Sequence, residues 1–123
     1  MNDVLGECLF PVILGSNTEG HACVRHLTNR YGACSTVLTG KRALTLRFLP
    51  SVRVLFAPPT LSDEVLLSIL QDLDGESGYR LPLLLSCDAA YDGFVSRHRE
   101  ELEARFILRR GADVLGRRSS YDL

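Results

Sequence analysis

Apolar and polar residues follow one another in blocks along the chain, and the blocks predict alternating strands and helices. The apolar run Leu9–Leu14 ends abruptly in Gly15 and three small polar residues, after which a helical pattern begins. This predicts a strand, a tight turn and the start of a helix. In open α/β sheets, ligands bind outside the carboxyl ends of the strands, where helix N-termini present unpaired backbone N–H groups. We therefore expect a functional site to centre on residues 9–22.

The first predicted helix follows that turn directly. Ser16, Asn17 and Thr18 can each cap its N-terminus. Apolar residues recur at helical spacing up to about Arg30, and Gly32 then provides a stop. The face expected to pack on the sheet consists of Gly20, Cys23, Val24, Leu27 and Tyr31.

The middle of the chain predicts two more strands and a second helix. Residues 35–38 are rich in β-branched side chains, and the run 52–57 is ended by two prolines that cannot continue a ladder. Between them, alternation at Leu44, Leu46 and Phe48 indicates either a short edge strand or a half-buried loop. Thr60 and Asp63 approximate a capping box for a helix. Its expected apolar stripe consists of Leu61, Val65, Ile69 and Leu73.

The most apolar run, LPLLLS at 81–86, predicts a fourth and central strand. A third helix is expected over 89–105 and a short fifth strand over 106–108. Together the elements predict an α/β fold: a mostly parallel, Rossmann-like sheet of about five strands with helices on both faces. Residues 1–8 are expected to be a lead-in, 9–108 the domain and 109–123 a tail or linker.

Composition narrows the function classes. The 123 residues suit one domain, and 46% of them are hydrophobic. A net charge of −1 gives no electrostatic sign of nucleic acid or of an anionic membrane as partner. No apolar run approaches the roughly 20 residues of a membrane span, and the start of the chain lacks a basic secretion signal. We expect a cytoplasmic protein.

The four cysteines, Cys8, Cys23, Cys34 and Cys87, show no C-x-x-C spacing. This pattern signals neither a zinc site nor a redox motif, so reduced structural thiols are expected. A role for Cys87 stays open because that residue lies at the end of a predicted strand.

The glycine turn carries the main candidate chemistry. The sequence from Gly15 to Gly20 lacks both the Lys-Ser/Thr of a P-loop and the G-x-G-x-x-G spacing of a dinucleotide site. It is either a plain strand-to-helix turn or a place where Ser16, Asn17 and nearby N–H groups face a ligand. Asp88, just past the fourth strand, likewise either caps the next helix or binds substrate.

The histidines and charged residues give weaker signals. His98 falls at an apolar spacing with no evident Ser, Cys or Asp partner, which favours a packed histidine over a catalytic base. His21 lies nearer the turn. The third helix also carries a charged, solvated face with an i,i+4 pair of Glu101 and Arg105. No catalytic residue and no metal ligand is assigned.

Two stretches of the chain, PVILGSNTEGHACVRHLTNRYGACSTVLTG and LPLLLSCDAAYDGFVSRHREELEARFIL, carry a family pattern. They resemble the N-terminal domain that precedes the nucleotide-binding core in ATP-grasp carboxylate–amine ligases, particularly the D-aspartate-ligase-like group. The matching features are a glycine turn, a Tyr-Gly helix stop, a Ser-Thr-Val-Leu strand, a small residue with Asp, and an aromatic-Val helix. Here these are Gly15, Tyr31-Gly32, residues 35–38, Cys87-Asp88 and residues 94–102.

The resemblance implies the substrate-cleft domain of a larger enzyme that activates a carboxylate as an acylphosphate, which an amine then attacks. ATP and Mg²⁺ are implied for the full-length enzyme and belong to its later domains, so this chain alone is expected to be inactive. Its partners would be those ATP-grasp domains and a small carboxylate or amine substrate, with a homodimer as a further expectation. The residues expected at the substrate are Gly15, Ser16, Asn17 and Asp88.

A second hypothesis remains open beside this one. The chain could be a stand-alone Rossmann-like module that binds a nucleotide or metabolite, or an interaction domain without a ligand. Binding of ATP–Mg²⁺ by the isolated chain would favour the nucleotide module.

Overall fold

The computed structural model describes residues 7–43, 46 and 49–116. Within them the chain alternates between strands and helices, as the sequence predicts. The strands are β1 (Leu9–Leu14), β2 (Ser35–Thr39), β3 (Val52–Phe56), β4 (Leu81–Ser86) and β5 (Ile107–Arg110). The helices are α1 (Thr18–Tyr31), α2 (Asp63–Ser77), α3 (Asp92–Arg97), α4 (Arg99–Arg105) and α5 (Gly111–Val114), and a 3₁₀ turn covers Ala89–Tyr91.

All five strands form one parallel sheet in the order β3-β2-β1-β4-β5. The predicted parallel α/β fold is therefore confirmed. The central position, however, belongs to β1 and not to β4, which lies beside it. An apolar run shows that a strand is interior, but it does not show which interior position the strand occupies.

The sheet has a hydrophobic core on each face. Val12 and Leu14 of β1 pack with α2, α3 and α4 on one side, and Ile13 packs with α1 on the other. This alternation is the two-residue period of a strand buried on both faces. The fold is thus a three-layer α/β/α arrangement with β1 at its centre.

Helix ends follow the sequence signals closely for α1 and less closely for α2. Asn17 caps α1, and Gly32 ends it in the left-handed conformation with φ 69°. The cap of α2 is Ser62, so the prediction of Thr60 was wrong. The buried face of α2 contains Leu66, Leu70 and Leu73, so Leu73 of the predicted stripe is buried, whereas Val65 of that stripe is 44% exposed.

The predicted third helix over 89–105 is broken in two places. It opens with the 3₁₀ turn, and His98, at φ −119° and ψ 25°, separates α3 from α4. The fifth strand extends to Arg110, two residues beyond its predicted end.

Some predictions fall partly or wholly outside the described residues. Leu46 is buried and belongs to no strand, while Leu44 and Phe48 of the proposed edge strand lie outside the described part. Residues 1–6 and 117–123 also lie outside it, so the predicted lead-in and tail stay predictions. Among the helices of the described ranges, none is both long and apolar enough to cross a bilayer.

Candidate functional site

The candidate site lies where the strand order reverses. From β1 the chain moves to β2 and β3 on one side, and from β3 it returns to β4 on the other side of β1. At such a switch point the two outgoing connections diverge and leave a crevice outside the carboxyl ends of the central strands. Here those ends are Gly15 after β1 and Cys87-Asp88 after β4.

Gly15 and Asp88 lie in direct contact across this crevice. The backbone N–H groups of Cys87 and Asp88 both donate to the Leu14 carbonyl, at 3.2 and 3.1 Å. Gly15 has φ 117°, and a β-carbon placed on it would collide with the Asp88 β-carbon. Only glycine allows this backbone conformation and this approach without strain.

Asn17 joins the two sides of the crevice. Its side-chain oxygen accepts from the Gly20 N–H at 2.9 Å, which caps α1, and its amide nitrogen donates to the Cys87 carbonyl at 3.1 Å. One side chain thereby fixes the start of the helix after β1 against the end of β4. This double use of Asn17 accounts for an amide at this position, since a serine or threonine cap has no such donor arm.

Ser16 faces the other neighbouring strand. Its hydroxyl lies 2.7 Å from the hydroxyl of Thr39, which also accepts from the Lys41 N–H at 3.1 Å. The predicted second strand ends one residue early, at position 38, and therefore leaves out Thr39. The available signal was a further β-branched residue at the carboxyl end of that strand.

Asp88 acts as a cap in the structure. Its Oδ1 accepts from the Ala90 N–H at 2.9 Å and so begins the 3₁₀ turn. Its Oδ2 accepts no hydrogen bond from the residues that the structure describes. Because an ionised carboxylate can accept about four hydrogen bonds, the capping role leaves Asp88 capacity for a ligand.

The structure therefore brings all four predicted site residues to one edge of the sheet. Asp88 and Gly15 meet between β1 and β4, Asn17 at the start of α1 bonds the Cys87 carbonyl, and Ser16 lies toward β2. Ser16, Asn17 and Asp88 are half-buried. Their proposed contact with a substrate remains a prediction.

Two thiols pack directly behind the crevice. Cys23 of α1 and Cys87 are buried, with their sulfur atoms 3.6 Å apart. The hydrogen bond with Cys23, together with burial, raises the pKa of the Cys87 thiol far above its ordinary value. This is the environment of an unreactive, structural cysteine.

His98 has an acidic partner that the sequence analysis did not find. Its Nε2 lies 2.8 Å from Asp63 Oδ2, and Arg97 binds the same carboxylate through two nitrogens at 2.8 and 2.9 Å. The hydrogen bond with Asp63 raises the pKa of His98. Glu101 Oε1 lies 3.5 Å from the other ring nitrogen, so the ring lies between two carboxylates.

The predicted pair of Glu101 and Arg105 was wrong. Arg105 binds Asp74 of α2 at 3.2 Å, and the i,i+4 pair on α4 is instead Arg99 with Glu103 at 3.3 Å.

His21, in the first turn of α1, donates its backbone N–H to the Asn17 carbonyl at 2.9 Å. Across residues 7–43, 46 and 49–116, no three His, Cys, Asp or Glu side chains converge as metal ligands do.

Comparison with known proteins gives one informative relation. The chain is 26% identical over 110 residues to a D-aspartate ligase of Enterococcus faecium (strain Aus0004), a match that covers 87% of this chain and 26% of that protein. The chain thus spans about a quarter of the length of this relative. No family model matches the chain, and no solved structure matches it. The chain is accordingly a Rossmann-like α/β domain with distant similarity to a D-aspartate ligase.

Proposed function

We propose that this chain is the N-terminal substrate-cleft domain of a larger ATP-dependent carboxylate–amine ligase. The observation that carries the proposal is the similarity, across 87% of the chain, to a D-aspartate ligase of which it spans only 26%. The proposed ligand class is a small carboxylic acid or amine.

In this proposal the domain orients a substrate and transfers no proton. Gly15 brings the backbone close to the ligand, Ser16 and Asn17 offer polar atoms, and the unused Oδ2 of Asp88 accepts from a substrate N–H or ammonium group. Holding a reactant in a productive orientation lowers the entropic part of the barrier. The domain by itself is proposed to catalyse no ligation.

The described residues carry neither of two common features of nucleotide and metal sites. No three carboxylate, histidine or thiol groups converge there, and the turn has neither a P-loop lysine nor a G-x-G-x-x-G spacing. We therefore assign the nucleotide and the metal to the remaining domains of the ligase. We assign no reaction step of ATP or Mg²⁺ to residues of this chain.

An assay of the complete gene product tests the proposal. We expect formation of ADP from Mg²⁺–ATP only when a carboxylic acid and an amine are both present, with an amide product detected by mass spectrometry. D-Aspartate is the first substrate to try, because it appears in the name of the similar protein. A complete gene that stops after codon 123 would overturn the proposal. So would a rate of ADP formation that depends on neither the acid nor the amine.

The strand order also supports a second candidate, a stand-alone nucleotide-binding module. The order β3-β2-β1-β4-β5 with a glycine turn after β1 is the arrangement in which Rossmann-like folds bind nucleotides. Calorimetry of the isolated chain with ATP–Mg²⁺ distinguishes the two candidates. Saturable binding would favour the module, and the ligase-domain proposal predicts no binding.

A further inference from the structure

A second polar groove opens beside the crevice, at the carboxyl ends of β4 and β5. It has a volume of about 620 Å³, within the range of about 300–1,000 Å³ typical of small-molecule sites. Its polar wall comes from separate elements: the end of β4, helix α3, the start of α4, strand β5 and helix α5. Val95 and Leu108 supply an apolar part of the lining.

Cationic side chains outnumber anionic ones in this groove. Arg99, Arg109 and Arg110 line it together with Asp92 and Asp113, and Glu103, outside the lining, pairs with Arg99 and offsets its charge. The arginines come from a helix and from a strand, so the tertiary fold brings them together. Such an arrangement attracts an anion electrostatically and raises its local concentration.

The guanidinium groups retain donors for a ligand. The Arg110 side chain is exposed and makes no hydrogen bond or ion pair with the residues described. Arg109 donates to the Leu108 carbonyl at 2.8 Å. Arg99 contacts Glu103 at 3.3 Å, with both side chains more than half exposed, and such exposed pairs contribute little stability. An arginine carries five N–H donors, so these contacts leave most of them unused.

The two acidic residues of the groove differ in their hydrogen bonding. Asp92 Oδ1 accepts from the Ser86 hydroxyl at 2.8 Å, which engages the carboxylate nearest β4. The Asp113 carboxylate forms no hydrogen bond or ion pair with other described residues. Neither Asp92 nor Asp113 forms an ion pair with an arginine of the groove, and among the described residues only Arg99 of the three arginines has an ionic partner, Glu103.

We propose that this groove binds a small molecule through a single carboxylate group, held by Arg110 with help from Arg99 and Arg109. The planar guanidinium fork matches the two oxygens of a carboxylate. A carboxylate adds one negative charge beside Arg110, whereas a phosphate monoester of charge near −2 adds two close to Asp92, Asp113 and Glu103. Arginines on an edge strand also discourage pairing with another chain, but that role requires neither a groove nor Arg99 on α4.

This inference goes beyond the proposed ligase function and does not require it, since the test uses neither ATP nor an amine. The full-length protein is titrated with propionate by calorimetry at constant ionic strength. We expect saturable binding with a Kd below about 10 mM, weakened about ten-fold in Arg110→Gln through loss of a charged hydrogen bond. Inorganic phosphate at the same ionic strength is expected to bind more weakly than propionate.

A matched control is Arg25→Gln, which removes the same charge from an exposed position of α1 that does not line the groove. It is expected to leave the propionate Kd unchanged. If Arg110→Gln does not fold, Arg99→Gln on the exposed face of α4 replaces it, with the same expected direction. Non-saturable heats, equal Kd values in the groove variants and the wild type, or tighter binding of phosphate would each overturn the proposal.

Discussion

The backbone of Gly15 and the side chain of Asp88 lie against each other where β1 and β4 end, with no space for a β-carbon between them. The residues are far apart in sequence, and the parallel register that sets Leu14 beside Ser86 brings them together. The turn after the central strand is therefore defined by a contact with the next strand as well as by its own sequence.

Gly15→Ala tests this contact. The added methyl group meets Asp88, and the φ of 117° is unfavourable for alanine. Backbone strain and overpacking together are expected to lower the free energy of unfolding by at least about 2 kcal/mol, measured by urea denaturation. Gly75→Ala is the matched control, because nothing lies within 4 Å of a β-carbon at that helical position. It should raise stability by about 0.5–1 kcal/mol, and equal effects of the two substitutions would contradict the account.

Tyr91 links the turn after β4 to the end of β3. The side chain is 1% exposed, and its hydroxyl donates to the Ala57 carbonyl at 2.6 Å. Burial raises the pKa of Tyr91 to about 12. Tyr91→Phe leaves the carbonyl without this donor and is expected to cost about 1–3 kcal/mol of unfolding free energy.

Tyr79→Phe is the control for this substitution, because Tyr79 is 86% exposed. Removal of its hydroxyl is expected to leave the urea midpoint unchanged. A similar midpoint for Tyr91→Phe and wild type would show that the buried hydroxyl contributes no stability.

The pH dependence of stability should depend on His98. Hydrogen bonding to Asp63 raises its pKa above the ordinary 6.5, so the folded protein binds this proton more tightly than the unfolded chain does. Its stabilising contribution is therefore complete below pH 6.5 and is lost as the pH rises through the raised folded pKa. The pKa of Asp63 is lowered and that of Arg97 is raised by their mutual hydrogen bonds, so both groups stay ionised over this interval.

Thermal unfolding of wild type and His98→Gln between about pH 5.5 and 8.5 measures this contribution. The wild type is expected to lose its Tm advantage over the variant as the pH rises. In the Asp63→Asn background, the same histidine substitution should have a smaller effect. A constant Tm difference across the range would contradict the linkage.

The four thiols should react in two classes. Cys8 and Cys34 are exposed, whereas Cys23 and Cys87 are buried together. Because the neighbouring thiol and burial raise the pKa of Cys87, little thiolate forms in the folded state. Ellman's reagent is expected to titrate two thiols in native protein and four in denaturant. Four rapid thiols without denaturant would show that the packing behind the crevice is open.

Local patterns predicted much of this fold. The run 9–14 followed by Gly15 and a helical period identified β1, its turn and α1, because strand and helix periods differ clearly. From the rule that parallel strands end at one edge, Asp88 could be placed with Gly15 before any coordinates were known. The alternation of elements likewise indicated helices on both faces.

The features that the sequence could not predict depend on contacts between residues far apart in the chain. Asp63 and His98 are 35 residues apart, and their pairing depends on how α2 packs beside α3 and α4. Thr60 and Ser62 are both acceptable caps, so local chemistry could not choose between them. The sequence also did not predict the arginine groove, since Arg99 lies on a helix and Arg109 and Arg110 lie in the segment predicted to be a tail.

The KM of an Asp88→Asn variant of the full-length protein tests the central claim most directly. Asparagine caps as well as aspartate, so the turn is preserved while the negative charge is removed. We expect the KM for the acid or amine substrate to rise about ten-fold, as for loss of a charged hydrogen bond, with the KM for ATP and the Tm unchanged. An unchanged KM and kcat for both substrates would contradict the account and leave Asp88 only its cap on the 3₁₀ turn.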